Sequence, residues 1–372
     1  MRHELAIIGG GIIGCAAAAF AAERGARVTL FEATDLGAGA SGRNLGSIQH
    51  PYDPLLASLY HDSLALYRDL PGFDLPAEPA GVLLLATDTD ALARHAVALA
   101  TAAPELAPEL LEMGALHTLE PSLAHDVAAV RIATGYPVPP HAAVAAHAAL
   151  ARSHGADLRI GREATPWLEH GRCRGVRFAD GSTQAFGAVL LAAGPWSPSM
   201  LPEGLQGRLR IQRTWGVTLH VDLPDPPRHV LEEEEVGEPE LGGSFRWGIP
   251  EAGHAVFSLA TAAGRSVLGS TFFVDEPHTA EVAPALVERG ARFVPAIAQA
   301  RILELRRCAR PQSADGRPYI GPLAEGLFVC AGHGPWGIST GPASARLAVD
   351  AILGVAEVPA ALRADRFDGS RD

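Results

Sequence analysis

The segment "ELAIIGGGIIGCAAAAF", Glu4–Phe20, decides the fold of the N-terminal part of the chain. Its apolar run before the glycines predicts a short strand that is buried on both faces, as in a parallel sheet. The Ala-rich run Ile12–Arg24 predicts a helix, and "RVTLFEA", Arg27–Ala33, predicts a second strand with Glu32 at its end. Glu32 lies 18 residues after Gly14. The segment therefore predicts the strand–turn–helix–strand–acid unit that binds dinucleotides.

Each glycine of this G-x-G-x-x-G motif has a physical role. Gly9 allows the tight turn, Gly11 lets a pyrophosphate approach the backbone, and Gly14 lets the helix pack on the strand. The N-terminus of the helix offers N–H donors to the phosphates. Glu32 is expected to accept hydrogen bonds from the adenosine ribose. The alternative, a glycine-rich turn without a ligand, agrees less well with this full context.

Composition narrows the class of protein. The 372 residues are 48% hydrophobic and 19% charged, which suits an enzyme of about two domains. All 30 basic residues are Arg, which excludes a Schiff-base lysine or a P-loop lysine. The net charge of -12 argues against binding to nucleic acid or to an anionic membrane.

The cysteines and the apolar runs indicate a cytoplasmic enzyme. Four cysteines stand far apart without a C-x-x-C pair, so we expect a reducing compartment, no disulfide framework and no metal site. Glycines interrupt the N-terminal apolar run, which weakens a signal helix. The rest of the sequence has no apolar span of 18 residues, so no membrane helix is expected.

The segment "GAGASGRNLGSIQHP", Gly37–Pro51, predicts a long loop of small residues that could run along an extended cofactor. Ser41, Arg43 and Asn44 would add donors for phosphate and ribitol oxygens. A flexible surface loop is the alternative.

The middle of the chain predicts many strands. Residues 155–197 suggest short strands with turns, after a helix over 141–155. Alternating strands are expected between Leu201 and Val282. The acidic run Glu232–Glu235 predicts a solvated loop, with a substrate-excluding lid as the alternative.

The order of the motifs along the chain resembles that of the FAD-dependent D-amino acid oxidase superfamily, above all glycine oxidases, monomeric sarcosine oxidases and D-amino acid dehydrogenases. The motifs are G-x-G-x-x-G, Glu32, "SGRN", "GREAT", "LAAGPWS", "RP" with "DGRPYIGP", and "AGHGPWG". The resemblance implies an α/β protein, with a Rossmann-like FAD-binding domain and a second domain built on a mostly antiparallel β-sheet. The FAD domain would comprise residues 1–80, 141–215 and 308–372, and the substrate domain residues 81–140 and 216–307.

The resemblance also implies one FAD per chain and a set of cofactor-binding residues. Ala164 would lie at the adenine, Ala193 and Gly194 would pass close to the cofactor, and residues 46–48 would follow the flavin ring. The full set is Gly9, Gly11, Ile12, Ile13, Gly14, Glu32, Ala33, Ser41, Arg43, Asn44, Gly46, Ser47, Ile48, Ala164, Ala193, Gly194, Cys308, His333, Gly334, Trp336, Gly337, Ile338 and Ser339.

A second G-x-G-x-x-G motif, in "LFVCAGHGPWGIST", has a different context. A helix over 341–354 follows it, and no strand with a terminal acid comes after that helix. We therefore predict a strand, Leu327–Cys330, that leads into a glycine loop and a helix N-terminus. By the resemblance, this loop holds the flavin edge that becomes negative on reduction.

The segment "CARPQSADGRPYIGP" carries the candidate substrate residue. Arg310 falls where glycine oxidases carry the arginine that binds the substrate carboxylate, and a planar guanidinium suits that task. A structural salt bridge is the alternative. Phe257 replaces the tyrosine of the family at the substrate, and His50, Trp215 or Arg213 could line the pocket.

The resemblance implies oxidation of the C–N bond of a small amino acid or secondary amine with a carboxylate, by hydride transfer to flavin. The alternatives are a 2-hydroxy acid dehydrogenase of the same fold and a flavin-binding redox sensor. Oxygen, a quinone or another acceptor would take the electrons. Without the lysine of sarcosine oxidases, we expect modest oxygen reactivity unless an Arg or His replaces it.

Cys308 leaves the mode of cofactor attachment open. It stands seven residues before Asp315, the spacing at which sarcosine oxidases carry the cysteine that bonds the flavin. The surrounding residues otherwise resemble glycine oxidases, which lack that cysteine, so non-covalent FAD is favoured.

Overall fold

The computed structural model describes residues 4–234 and 254–367. Four sheets, two of them large, and the helices between them form the framework of the described residues. The helices are α1 Ile12–Glu23, α2 Ala40–Arg43, α3 Pro54–Arg68, α4 Thr89–Ala102, α5 Met113–Leu119, α6 Ala142–Ser153, α7 Glu203–Gln206, α8 Thr279–Phe293 and α9 Gly337–Ile352. None of these helices is long and apolar enough to cross a membrane.

The first sheet has six strands. Their spatial order is β18 (Tyr319–Ala324), β19 (Leu327–Ala331), β12 (Ala188–Leu191), β1 (Glu4–Ile8), β2 (Arg27–Glu32) and β8 (Asp157–Ile160). Neighbouring strands run parallel, except for the antiparallel pair of β18 and β19. The strand–helix–strand unit predicted from the N-terminal glycine motif is therefore confirmed.

Both faces of this sheet are covered, which explains why its strands are continuously apolar. On one face, Leu5 and Ile7 of β1 belong to the same core cluster as α1, α3, α6 and α9. On the other face, Ala6 and Ile8 share a core with a three-stranded antiparallel ribbon. The ribbon consists of β9 (Ala164–Glu169), β10 (Arg172–Phe178) and β11 (Thr183–Ala185).

The second large sheet has eight strands. Their order is β17 (Arg301–Ser313), β13 (Ile211–Asp222), β16 (Arg265–Phe272), β15 (His254–Ala262), β14 (Val230–Glu233), β4 (Val82–Ala86), β6 (Ala128–Ile132) and β5 (Glu109–Leu111). The pair of β14 and β4 is parallel, and the other pairs are antiparallel, so this sheet is mixed. Helix α8 packs on one face and α4 on the other.

The prediction of a solvated loop at the acidic run is wrong. Glu232 and Glu233 belong to strand β14, between β15 and β4. Their neighbours come from distant parts of the chain, which is why the local acidic composition misled the prediction. Glu235 lies outside the described residues, and the lid alternative with it.

The segment Gly37–Pro51 is more ordered than a loop of small residues suggests. It contains α2 and a two-residue strand, β3 (Ser47–Ile48), which pairs with β7 (Tyr136–Pro137). The prediction of a strand that leads into the second glycine motif is confirmed, because β19 ends at Ala331 and α9 begins at Gly337.

Candidate functional site

A cavity of about 2710 Å³ is lined by residues of both large sheets. Most of the residues singled out in the sequence line it, although they come from distant segments. They are Gly9, Gly11, Ile12, Ile13, Glu32, Ala33, Ser41, Arg43, Asn44, Gly46, Ser47, Ala164, Ala193, Gly194, Trp215, Phe257, Cys308, Arg310, His333, Gly334, Trp336, Gly337, Ile338 and Ser339. Gly14, Ile48 and His50 are not among the lining residues.

The first glycine turn is closed by contacts that exclude side chains. Gly9 has a φ of +113°, and a Cβ there would lie 2.5 Å from the carbonyl oxygen of Ala192. The N–H of Gly10 donates to Oε2 of Glu32 at 2.7 Å. Glu32 thus braces the turn, and its other oxygen accepts from the N–H of Thr34 at 2.8 Å. A Cβ on Gly11 would approach only the Ser41 side chain, at 3.0 Å, so this backbone is open to a ligand.

The "SGRN" loop is held largely by its own side chains. Nδ2 of Asn44 donates to the carbonyl oxygens of Ala40 and Ser41, at 3.1 and 2.9 Å. Oγ of Ser41 accepts from the N–H of Ile12 at 3.0 Å, at the N-terminus of α1. Arg43 donates to the carbonyl oxygen of Arg307 at 3.1 Å. These bonds dock the loop on the first glycine motif and on β17.

The second glycine motif, which also lines the cavity, contains a turn that excludes a side chain as well. Gly334 has a φ of +54°, and a Cβ there would lie 2.7 Å from Oε1 of Gln312. His333 is buried, and its Nε2 atom has no hydrogen-bond partner among the described residues. Burial lowers the pKa of His333 to about 3, so its imidazole is neutral at pH 7. The first turn of α9 then presents Gly337, Ile338 and Ser339 to the cavity.

Arg310 crosses the floor of the cavity from β17. Its Nη1 donates to the carbonyl oxygen of Thr271 at 2.8 Å, and its Nη2 donates to Oγ of Ser270. The Arg310 side chain can pass over Gly216 because glycine has no Cβ, and a Cβ there would lie only 2.7 Å from Nη1 of Arg310. The guanidinium also lies over the ring of Phe272, at 4.5 Å from its centroid. Among residues 4–234 and 254–367, no carboxylate forms an ion pair with Arg310, so the salt-bridge alternative has no partner there.

The remaining substrate candidates differ in position. Trp215 and Phe257 line the cavity, and the Phe257 ring stacks on Phe293 with centroids 4.9 Å apart. His50 instead packs edge-on against Tyr60, at 5.0 Å between ring centroids. Burial is the main cause that lowers the pKa of His50, and the side chain is 5% exposed. Arg213 is exposed and is not among the lining residues.

Cys308 lies at the cavity wall beside the "SGRN" loop. Its Sγ contacts the carbonyl oxygen of Arg43 at 3.8 Å. Burial raises the pKa of the thiol, although Arg310, Arg43 and Arg306 act in the opposite direction. The arginines around Cys308 therefore do not produce the low-pKa thiol that a covalent bond to the flavin would need.

Sequence reasoning missed one polar pair in the cavity. Nε2 of Gln49 donates to Oε1 of Glu232 at 2.7 Å and to Oγ of Ser47 at 3.2 Å. The N–H of Gln49 donates to Oγ of Ser339 at 2.9 Å, which connects the pair to α9. Val230 and Leu231, two apolar residues before the acidic run, were the only local signal of the strand that carries Glu232.

The cavity suits an extended, bent cofactor such as FAD. Two helix N-termini open into it, from α1 and α9, and glycines at both leave the backbone accessible. His333 adds a buried ring nitrogen without a partner in the described part of the chain. A pyrophosphate on the first motif and a flavin edge on the second agree with these donors. No cluster of potential metal ligands is found among the described residues.

Comparison with known proteins agrees with this geometry. The family model described as FAD dependent oxidoreductase (DAO) matches residues 4–351. The glycine oxidase of Geobacillus kaustophilus is 30% identical over 369 residues, which cover 94% of this chain and 93% of that protein. The glycine oxidase of Pseudomonas putida is 27% identical and covers 95% of each chain. The solved structure of iminodiacetate oxidase from Chelativorans sp. superposes with a TM-score of 0.80 at 25% identity, over 95% of this chain and 97% of that one.

Proposed function

The chain belongs to the family of FAD-dependent oxidoreductases, and from this premise we propose that it oxidises the C–N bond of a small amino acid or secondary amine that carries a carboxylate. The names of its relatives, glycine oxidase and iminodiacetate oxidase, support this substrate class. The observation that carries the proposal is Arg310, a cation without an acidic partner among the described residues, in the cavity that both glycine motifs line.

Two elements would hold FAD at its two ends. The first glycine turn and Glu32 would bind the pyrophosphate and the adenosine ribose, and residues 333–339 would lie along the flavin. When bound, FAD supplies the acceptor for the hydride that leaves the substrate carbon. The neutral imidazole of His333 adds no positive charge of its own next to that acceptor.

Arg310 is pre-oriented for a carboxylate. Two of its donor atoms are used by Thr271 and Ser270, and these bonds fix the plane of the guanidinium on the cavity floor. The guanidinium has five N–H groups in total, so others are available for a ligand. A bidentate bond to the substrate would fix the position of the carbon next to the carboxylate.

Domain organisation and surroundings complete the proposal. The distribution of strands between the two large sheets supports an FAD domain of residues 1–80, 141–215 and 308–372, although β13 and β17 run through two of these boundaries. A mostly antiparallel substrate domain would comprise 81–140 and 216–307.

All four cysteines are free and buried, which supports a reducing, cytoplasmic compartment. Arg43, Arg306 and Arg307 line the cavity, so cationic groups are present for oxygen, a quinone or another acceptor despite the missing lysine.

Anaerobic mixing tests the proposal. The holoenzyme is mixed with D- and L-amino acids, N-substituted glycines and 2-hydroxy acids, and bleaching of the flavin absorbance is followed. We expect bleaching by a compound that has both an amine and a carboxylate. Bleaching by 2-hydroxy acids alone would overturn the proposal in favour of a hydroxy acid dehydrogenase. An absence of bleaching by every compound would favour a redox sensor.

A further inference from the structure

The carboxylate of Glu232 is a charged group in the cavity that the proposed function does not use. Oε1 accepts from Nε2 of Gln49, and no Arg or His forms an ion pair with Glu232 in the described part of the chain. The neighbouring Glu233 differs, because Arg289 donates to both of its oxygens, at 2.6 and 2.8 Å. Glu232 is thus a carboxylate with a neutral partner, next to one that is fully paired.

Register in the sheet gives the position of Glu232 relative to Arg310. Glu232 lies opposite Ser258, and Ser258 lies opposite Gly269. Gly269 precedes Ser270, which accepts a hydrogen bond from Arg310. Adjacent strands are about 4.8 Å apart, so Glu232 lies two strands, or about 10 Å, from the residues that hold the guanidinium.

The floor between the two charges is built from small residues. Ser258 and Ser270 line the cavity, and a Cβ on Gly269 would lie 3.2 Å from Oγ of Ser258. None of these three positions, Ser258, Gly269 and Ser270, carries a bulky side chain that would separate Arg310 from Glu232. A molecule with a carboxylate at one end and a cationic group at the other matches this arrangement.

We propose that Glu232, held by Gln49, forms a subsite for a second, positively charged group of the substrate, at the end remote from the carboxylate that Arg310 binds. The proposal rests on the proposed function and deepens it, since it makes a basic amino acid the preferred substrate class. The physical reason is that a carboxylate taken out of water without a counter-ion is costly, and a substrate cation removes that cost. Glu232 is a specificity-determining residue in this scheme.

The electrostatic surroundings agree with a bound cation. Burial raises the pKa of Glu232 to about 6, with Gln49 acting against the shift, so the side chain is mainly ionised at pH 7. Tyr52 couples electrostatically to Glu232 and to Glu234, and neither Tyr52 nor Glu234 adds positive charge. Gln49 connects the subsite to the loop proposed to follow the flavin, through Ser47 and Ser339.

A pair of ligands that differ by one amino group tests the subsite without turnover. Calorimetry on the FAD-bound enzyme measures the dissociation constants of pentanoate and 5-aminopentanoate. We expect 5-aminopentanoate to bind about tenfold to hundredfold more tightly, the range for one hydrogen bond to a charged group. In Glu232→Gln the preference should disappear while pentanoate binds as before. Glu304→Gln removes a carboxylate elsewhere in the cavity lining and should keep the preference.

Kinetics with norvaline and ornithine, each as both enantiomers, extends the test to the reaction. We expect a higher kcat/KM for ornithine in the wild type, loss of this preference in Glu232→Gln, and partial recovery in Glu232→Asp. Equal affinities of the two pentanoates in the wild type would overturn the subsite, whether or not the variants fold. So would a Glu232→Gln variant that keeps the wild-type preference. Failure of the proposed function has a different signature, because no amine would then bleach the flavin while the pentanoate ratio could still be measured.

Discussion

The helix α1 packs so closely on the preceding turn that a Cβ on Gly14 would lie 1.9 Å from the carbonyl oxygen of Gly9. No real Cβ contact is that short, and the obstructing atom belongs to the backbone, so it cannot rotate away. Gly11 differs, because a Cβ there would meet only the Ser41 side chain, at 3.0 Å. The same motif therefore contains one glycine that the fold needs and one that faces the cavity.

Gly14→Ala should destabilise the protein and abolish FAD binding, because the helix would have to move away from the strand. An overpacked contact of this kind costs about 1–3 kcal/mol or more. Gly11→Ala should leave the unfolding free energy within about 1 kcal/mol and weaken FAD binding. Gly204→Ala, in α7 with open space around the position, is the control for both. Urea unfolding and flavin fluorescence measure the two quantities, and equal stability of Gly14→Ala and Gly204→Ala would contradict this account.

Arg310→Ala should weaken substrate binding by about 2–5 kcal/mol and leave FAD bound, since truncation removes the cation proposed for the carboxylate. Arg213→Ala is a matched control, because Arg213 lies opposite Pro311 in the same strand pair and is exposed. The measurement is the Michaelis constant, together with the FAD content of each variant. An Arg310→Ala enzyme with an unchanged Michaelis constant would exclude the anchoring role.

Acid should destabilise the fold through His147. This side chain is 1% exposed, bonded through Nδ1 to the carbonyl oxygen of Ala143 at 2.8 Å, and burial lowers its pKa to about 4. The unfolded state takes up a proton near pH 6.5, whereas the folded state resists it until about pH 4. The stability contributed by neutral His147 is thus complete above pH 6.5 and decreases as the pH falls towards 4, by about 2 kcal/mol at pH 5.

His147→Gln tests this pH dependence, because an amide can still donate to Ala143 but does not titrate. Its unfolding free energy should fall less between pH 7.5 and pH 5 than that of the wild type, by about 2 kcal/mol. Urea unfolding at the two pH values gives the comparison. If the variant and the wild type lose the same stability, His147 is not the titrating group.

FAD should be released without a covalent bond to Cys308. A thioether requires a thiolate, and burial raises the pKa of this thiol in spite of the arginines around it. After acid precipitation, the yellow colour is expected in the supernatant. A yellow pellet in the wild type that becomes colourless in Cys308→Ser would establish the bond and contradict the prediction, with Cys173→Ser as the control.

Local sequence was sufficient for the nucleotide-binding unit and for the second glycine motif. Gly14 packs on Gly9, and Glu32 accepts a hydrogen bond from Gly10, all within about 30 residues of sequence. The roles of the glycines follow from the backbone geometry that this residue type allows. The same is true of the strand–loop–helix around His333. For this reason the elements near both motifs could be predicted from the sequence, and most of the residues singled out there line the cavity.

Tertiary structure alone decided which charged groups share the cavity. Glu232 looked like part of a solvated loop, but β4 and β15 flank it, and β4 lies about 150 residues earlier in the chain. His50 belongs to the segment Gly37–Pro51 that was expected to run along the cofactor, yet its ring packs on Tyr60 and is not part of the cavity lining. Gly216 and Ser270 determine where the Arg310 guanidinium lies, and neither is near it in sequence. Strand pairing and side-chain direction depend on partners that are distant along the chain, so they cannot be predicted from local composition. The conformation of a glycine turn, in contrast, is determined by the residues of the turn itself.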